Sequence, residues 1–412
     1  MLLLGVLGCG PDDDGFHYEG TPGTATQASY SGSVPQVMLR INEVHEGAFI
    51  VDTGSPVTLL DKSTFAGFSD GIHEVTVQGF GLVFPSTKVL ALDIFAADGG
   101  AGAYGLLGGD ILRHFALSLD YKQGKAWLSD PLDPAAVYSP AEAELPAGVP
   151  VEIRGGGLSR ACLPPKDCGV IRLAPTRVLL TATFEGLQPV TVLVDTGASA
   201  VVLSSSFFET LSARTPGRPT LAGITVEGVA GPLNALWSRT YRIRLGSEGD
   251  AVSLDDVPVL VLPGSGLLGN LSDEVGRQVH ALIGGTVLRH FITTVDYLEG
   301  ALRLGRYKNP SHVPAQEFVG VGFEMHPRGT DWVIVSVYPG TDAAAEGLAT
   351  GDLVLDVGST SITGQPPDVV KGLMDDYGLG QDVPLGISRG GSPVEKKMVR
   401  VEDLLPSFPP PP

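Results

Sequence analysis

Asp-Thr-Gly occurs twice in this chain, as Asp52-Thr53-Gly54 and Asp195-Thr196-Gly197, each time at the end of an apolar run. A lone carboxylate on a tight turn does little chemistry. Two that face each other can share one proton: the ionised member takes a proton from water while the neutral member donates to a substrate carbonyl oxygen. The water then adds to that carbonyl and a tetrahedral diol forms, with no covalent attachment to the protein. Each copy is followed by a second shared signature, LLGGDILRHFALSLDY at 106–121 and LIGGTVLRHFITTVDY at 282–297. A duplicated motif with a duplicated downstream partner means two copies of one supersecondary unit, each offering a carboxylate.

The elements that must position those carboxylates read as short strands. Gly 55 and Pro 32 are high counts, and short apolar runs broken by Gly, Pro and Asp favour β structure over long helices. In the first repeat, residues 36–41 alternate, a second run ends at Asp52, 73–77 and 82–84 form a hairpin, and 88–95 is a further strand. Residues 116–121 and 126–128 read as a closing hairpin. The second repeat keeps the order, with strands at 178–184, 190–195 and 257–262 and a Gly-containing hairpin at 224–231. From each Asp to the later Gly the spacing is 108 − 52 = 56 and 284 − 195 = 89, so the second copy carries 33 more residues. They are expected in hairpin loops and at 264–279.

The repeats resemble aspartic peptidases of the pepsin/retropepsin kind over most of residues 35–305, and the small first repeat looks more like a retropepsin subunit. The resemblance implies a mainly β fold of two pseudo-symmetric, barrel-like lobes and a bacterial endopeptidase that needs no cofactor. It makes Asp52 and Asp195 the catalytic pair, lets Gly54 and Gly197 turn the backbone, and has Thr53 and Thr196 brace the two loops. The triplets Leu106-Leu107-Gly108 and Leu282-Ile283-Gly284 would pack beneath the Asp loops. Ser55 follows the first motif and Ala198 the second; a Ser55 hydroxyl donating to Asp52 would make Asp52 the more acidic partner. A mobile hairpin should cover the substrate, residues 78–81 being the first candidate and 227–231 the second. The first lacks the Tyr of a pepsin flap.

Residues 317–403 resemble a PDZ domain. Gly320, Val321, Gly322 and Phe323 match its carboxylate-binding loop, and 340–352 match the turn-helix-Gly-Asp segment of bacterial members. The resemblance implies that a protein C-terminus adds beside the strand after that loop. The alternative is a groove filled by the chain itself.

The remaining boundaries follow. Residues 1–33 read as a signal segment and flexible tether, 34–132 and 149–308 as the repeats, 133–148 as a Pro/Ala-rich linker and 404–412 as a Pro-rich tail without order. The apolar start ending at Cys9 resembles a bacterial lipobox, although it is short and no Lys or Arg precedes it. That predicts an exported protein in the periplasm or outer membrane, touching the membrane only through a lipid on Cys9. Cys162 and Cys168 would then pair in a small loop, the alternative being two free buried thiols.

A formal charge of −19 argues against a nucleic-acid partner. His114 and His290 recur at equivalent places with no second His/Cys cluster or Ser elbow, which fits a packing role and no metal. Arg113 and Arg289 beside them read as structural. The leading expectation is a monomeric endopeptidase acting on peptides and proteins. Its rival is a peptide-binding scaffold whose lobes no longer cut; two intact Asp-Thr-Gly motifs favour the enzyme.

Overall fold

A computed structural model describes residues 15–410 apart from 32, 66, 95–102, 145, 147, 161–169, 229–230, 247–250, 265, 310–317 and 393. Cys9, Cys162 and Cys168, and with them the lipidation and disulfide expectations, lie outside the described residues. The chain is mainly β. Its two halves repeat one pairing scheme in the same register. In the first, Val34–Ile41 pairs antiparallel with His45–Val51, Val37 opposite Phe49. In the second, Arg177–Phe184 pairs with Val190–Val194, Leu180 opposite Val192. Each Asp strand then pairs in parallel with the downstream triplet strand, Gly105–Leu107 or Ala281–Ile283. Buried aliphatic residues and phenylalanines, among them Phe49, Phe65, Phe115, Phe184 and Phe291, fill one continuous core. Alternate β-branched and aromatic side chains suit strands half-covered in this way.

The duplicated downstream signatures pair with each other and join the halves. Ala116–Asp120 runs antiparallel to Phe291–Asp296, flanked by Lys125–Ser129 and Ala301–Arg306. Ser118 Oγ and Thr294 Oγ1 lie 2.8 Å apart inside this layer, and Tyr138 Oη reaches Thr294 at 2.6 Å.

Three segments depart from expectation for one reason, that apolar side chains in them find buried surface. The described part of the N-terminal tether forms strands: Glu19–Gly20 pairs with Leu82–Leu92, and Thr26–Ser31 pairs with Val34–Ile41. Phe16 stacks on His114 at 3.6 Å. The linker holds a short helix, Pro134–Val137, and buries Val137, Tyr138 and Ala143. In the Pro-rich tail Leu405 is fully buried beside Leu221 and Ile224. The Phe408 N–H donates to Asp256 at 2.9 Å and the Arg218 guanidinium covers its ring.

The extra length of the second half is a helix, Ser205–Arg214, a strand, Thr220–Gly228, and a helix, Gly266–Val275. Thr220–Gly228 makes a long hairpin with Gly231–Leu245. Among the described residues the first half has no counterpart to it. Its hairpin of Gly71–Gly79 and Leu82–Leu92 corresponds to the pairing of Gly231–Leu245 with Val252–Leu262, since Ile41 faces Val77 as Phe184 faces Ile243. Residues 78–81 are therefore a core corner and not a flap. Phe80 is buried there, and Gly20 packs against the Gly81 carbonyl. Residues 227–231 remain the candidate cover, with 229–230 outside the described residues.

The C-terminal unit is a sheet in the order Phe323–Arg328, Asp331–Val337, Leu353–Val357, Asp382–Ser388, Glu395–Arg400, with helices Asp342–Ala345 and Pro367–Asp375. Its own core includes Trp332, Ile334, Val354, Ile362 and Leu385. It is seated on the second half's long hairpin. Ser336 Oγ donates to the Gly223 carbonyl at 2.6 Å, where a positive φ at Gly223 makes a bulge, and Phe318 packs on Trp237. The tail completes this seat, so Leu405→Ala should cost about 2–5 kcal/mol, the range for emptying a buried leucine site. Urea unfolding monitored by tryptophan fluorescence would show the loss; an unchanged midpoint would mean the tail carries no packing energy.

Candidate active site

The two Asp-Thr-Gly loops meet across the halves and grip each other reciprocally. The Thr53 N–H donates to Thr196 Oγ1 at 3.0 Å, and the Thr196 N–H donates to Thr53 Oγ1 at 3.1 Å. Each hydroxyl then donates onward to the partner strand, Thr53 to the Val194 carbonyl at 3.0 Å and Thr196 to the Val51 carbonyl at 2.6 Å. Both threonines are fully buried. Four buried backbone groups are thus satisfied by two side chains, which leaves little freedom in how far apart the loops sit.

Each carboxylate is aimed by its own loop. Asp52 Oδ1 accepts from the N–H groups of Gly54 at 2.7 Å and Ser55 at 3.1 Å. Asp195 Oδ1 accepts from Gly197 at 3.0 Å and Ala198 at 3.1 Å. The backbone N–H groups of Asp52 and Asp195 donate to Leu107 and Ile283, so the downstream triplets do lie against the Asp loops.

The glycines act differently from expectation. Neither Gly54 nor Gly197 takes a left-handed φ. A Cβ on Gly54 would lie 2.4 Å from Asp195 Cγ, and one on Gly197 would lie 2.5 Å from Asp52 Cγ. Glycine is needed at both positions because the opposite carboxylate occupies the space of a side chain. That close approach brings the two carboxyl groups toward each other, each over the other loop's glycine.

Burial raises both members of the pair. Burial first, then the charge of Asp195 and the hydrogen bond to it, hold Asp52 well above the usual carboxylate range. Burial also raises Asp195, but the hydrogen bond from Asp52, the charge of Arg177 and the N–H groups of Ala198 and Gly197 oppose the rise. The Ser55 hydroxyl donates to the Val57 carbonyl at 2.7 Å and does not reach Asp52. Both loops supply the same two backbone donors, so Ser55 and Ala198 do not break the symmetry.

Arg177 was not singled out in the sequence. Its Nη1 donates to the Gly54 carbonyl and its Nε and Nη2 fork onto Glu274. A gap-free superposition of the repeats would have flagged it, because 195 − 177 and 52 − 34 are both 18 and the first repeat has Val34 there. Thr58 was missed too; its hydroxyl donates to Asp110 at 2.8 Å, beside the first loop.

The other singled-out residues lie apart from this site. His114, half-buried and beside Arg113, is lowered to about 4 and stays neutral in its stack with Phe16. Arg113 and Arg289 close the short helices Gly109–Leu112 and Gly285–Leu288. No group of three or more His, Cys, Asp or Glu able to hold a metal occurs among the described residues. Gly320, Val321, Gly322 and Phe323 sit in the C-terminal unit; Val321 and Phe323 are buried in its core, and Gly322 takes a φ of 73° against Thr341.

Residues 180–287 match the family model described as aspartyl protease. Among solved structures, an aspartic proteinase from Irpex lacteus is 13% identical with a TM-score of 0.41, over 69% of this chain and 97% of that one. A PDZ domain protein from Parabacteroides distasonis is 22% identical with a TM-score of 0.20, over 21% of this chain and 20% of that one. No curated protein matches at a significant level. The family match supports an aspartic peptidase, and so a hydrolase, in general terms.

Two outcomes follow from the geometry. Thr196→Val would leave the Val51 carbonyl and the Thr53 N–H without partners, costing about 1–3 kcal/mol for each buried group; equilibrium unfolding in urea measures it, and a loss within error would show that the grip is not rigid. Carboxyls held above their ordinary value of 3.8 stabilise the fold fully below that pH, and the contribution is lost as pH rises through the folded values. Asp52→Asn should therefore be more stable than wild type near pH 7 and show a flatter decline between pH 4 and 7. A parallel pair of stability curves would contradict this.

Proposed function

We propose that the chain is an aspartic endopeptidase that hydrolyses peptide bonds with the Asp52/Asp195 pair. The observation that supports this most is the close approach of the two carboxyls, each over the other loop's glycine, where burial holds both above the usual carboxylate range. The ionised member of the pair takes a proton from a water held between the carboxyls. The neutral member donates to the carbonyl oxygen of the scissile peptide. The water oxygen adds to the carbonyl carbon and a gem-diol results. Return of a proton to the leaving nitrogen then breaks the C–N bond, and no acyl intermediate forms. Substrate would lie across the junction of the halves, beneath the long hairpin of Thr220–Gly228 and Gly231–Leu245.

The C-terminal unit suits recognition of a protein tail. Phe323–Arg328 ends its sheet with one free edge among the described strands, and Pro367–Asp375 carries Val370, Leu373 and Met374 against the same core. An extended peptide could add to that edge in the manner of a PDZ domain. Export with a lipid on Cys9 rests on the N-terminal sequence alone. No described helix is long and apolar enough to cross a membrane.

Incubating the purified protein with a peptide library from pH 3 to 8, beside Asp52→Asn and Asp195→Asn, tests the reading. Cleavage by wild type should fall by at least about 10³-fold in either variant, the scale for losing an essential acid or base. Cleavage that persists in both variants would sink the proposal in favour of another site. Binding of peptides without cleavage by wild type would favour the scaffold.

A further inference from the structure

Arg177 breaks the symmetry of the site. It opens the strand Arg177–Phe184 of the second half, yet its Nη1 donates to the Gly54 carbonyl in the first half's loop. Its Nε and Nη2 donate to Glu274 Oε1 and Oε2, both at 2.8 Å, and its side chain is 8% exposed. This is the planar fork that guanidinium and carboxylate share, and it fixes the plane as well as the position of the charge. Gly155 closes one side, where a Cβ would lie 2.9 Å from both Arg177 Cγ and Glu274 Oε1. Glu274 comes from the helix Gly266–Val275, which has no counterpart among the described residues of the first half. The register-equivalent residue of the first half, Val34, packs instead against the apolar cluster of Ile50, Val57 and Leu59. Among the described residues, the first half therefore offers no mirror image of this oriented cation.

We infer that Arg177, held by Glu274, is a positioning residue for the carboxyl pair: it ties the first Asp-Thr-Gly loop to the second half and keeps one of the two carboxyls ionised. Two buried carboxyls without a cation would drift toward the doubly protonated state at mildly acidic pH, and a doubly protonated pair contains no base. The charge of Arg177 favours the ionised form of both Asp52 and Asp195. The other titratable groups in this field are Glu274, which partly offsets the cation, and Tyr297, whose buried hydroxyl stays neutral. A backbone carbonyl as the third partner matters, because the contact to Gly54 places the charge against the loop without neutralising it.

The catalytic part of this inference rests on the peptidase reading, but its electrostatic part does not. Wild type, Arg177→Met, Arg177→Gln and Arg177→Lys would be compared by ¹³C titration of the aspartate carboxyls, assigned with Asp52→Asn and Asp195→Asn, and by kcat/KM against pH. Losing the charge should raise the midpoint at which the pair first ionises by about one unit or more, the scale of an adjacent opposite charge. The acidic limb of kcat/KM should move by the same amount, a loss of about tenfold per unit on that limb. Arg177→Lys should return at least half of the shift. Arg177→Gln separates charge from structure, since it keeps a donor for the Gly54 carbonyl, and it decides the matter should Arg177→Met fail to fold. A first ionisation in Arg177→Gln unmoved from wild type would overturn the inference. If wild type cleaves nothing, the peptidase reading fails while the carboxyl titration still decides the role of Arg177.

Discussion

The reciprocal threonine grip is the constraint on which the rest depends. Each loop spends a backbone N–H and a backbone carbonyl on the other loop's threonine, and all of these groups are buried. Separating the loops would strand four polar groups, so the loops stay together. The carboxyls then have nowhere to go but toward each other, over the two glycines. Carboxyls raised above their ordinary range are the electrostatic consequence of that packing.

Such a junction needs stiff support, and the duplicated signatures provide it. The triplet strands pair in parallel with the Asp strands in both halves. The stretches that follow leave the loops and zip together as Ala116–Asp120 and Phe291–Asp296. One sequence block thus supports the site locally and joins the halves below it. The second half then adds asymmetry: a long hairpin, a helix that brings Glu274 to Arg177, and a surface where the C-terminal unit sits. The added unit contacts that same hairpin through Ser336 and Phe318.

Much of this was legible in the sequence because repetition is a strong signal. Asp52 and Asp195, their threonines and the downstream triplets could be paired by inspection, and alternating runs such as 36–41 and 178–184 lie within strands. What escaped depended on three-dimensional neighbours. Gly54 and Gly197 were credited with turning the backbone, whereas the opposite carboxyl excludes a side chain there. Ser55 had the chemistry to reach Asp52 but found the Val57 carbonyl nearer. The corner at 78–81 has the composition of a hairpin tip, yet Phe80 turns into the core. Phe16 and Leu405 are isolated apolar residues in polar or Pro-rich stretches, and only their burial sites explain them. Arg177 belongs to no motif and stands out only against Val34.

The central claim is that one proton is shared by two carboxyls held together across the halves. Neutron diffraction from crystals grown near pH 5 tests it most directly, since deuterium positions become visible. A single deuteron between Asp52 and Asp195 is the result this account predicts. Two separate, fully ionised carboxylates, or two side chains too far apart for one water to bridge, would contradict it.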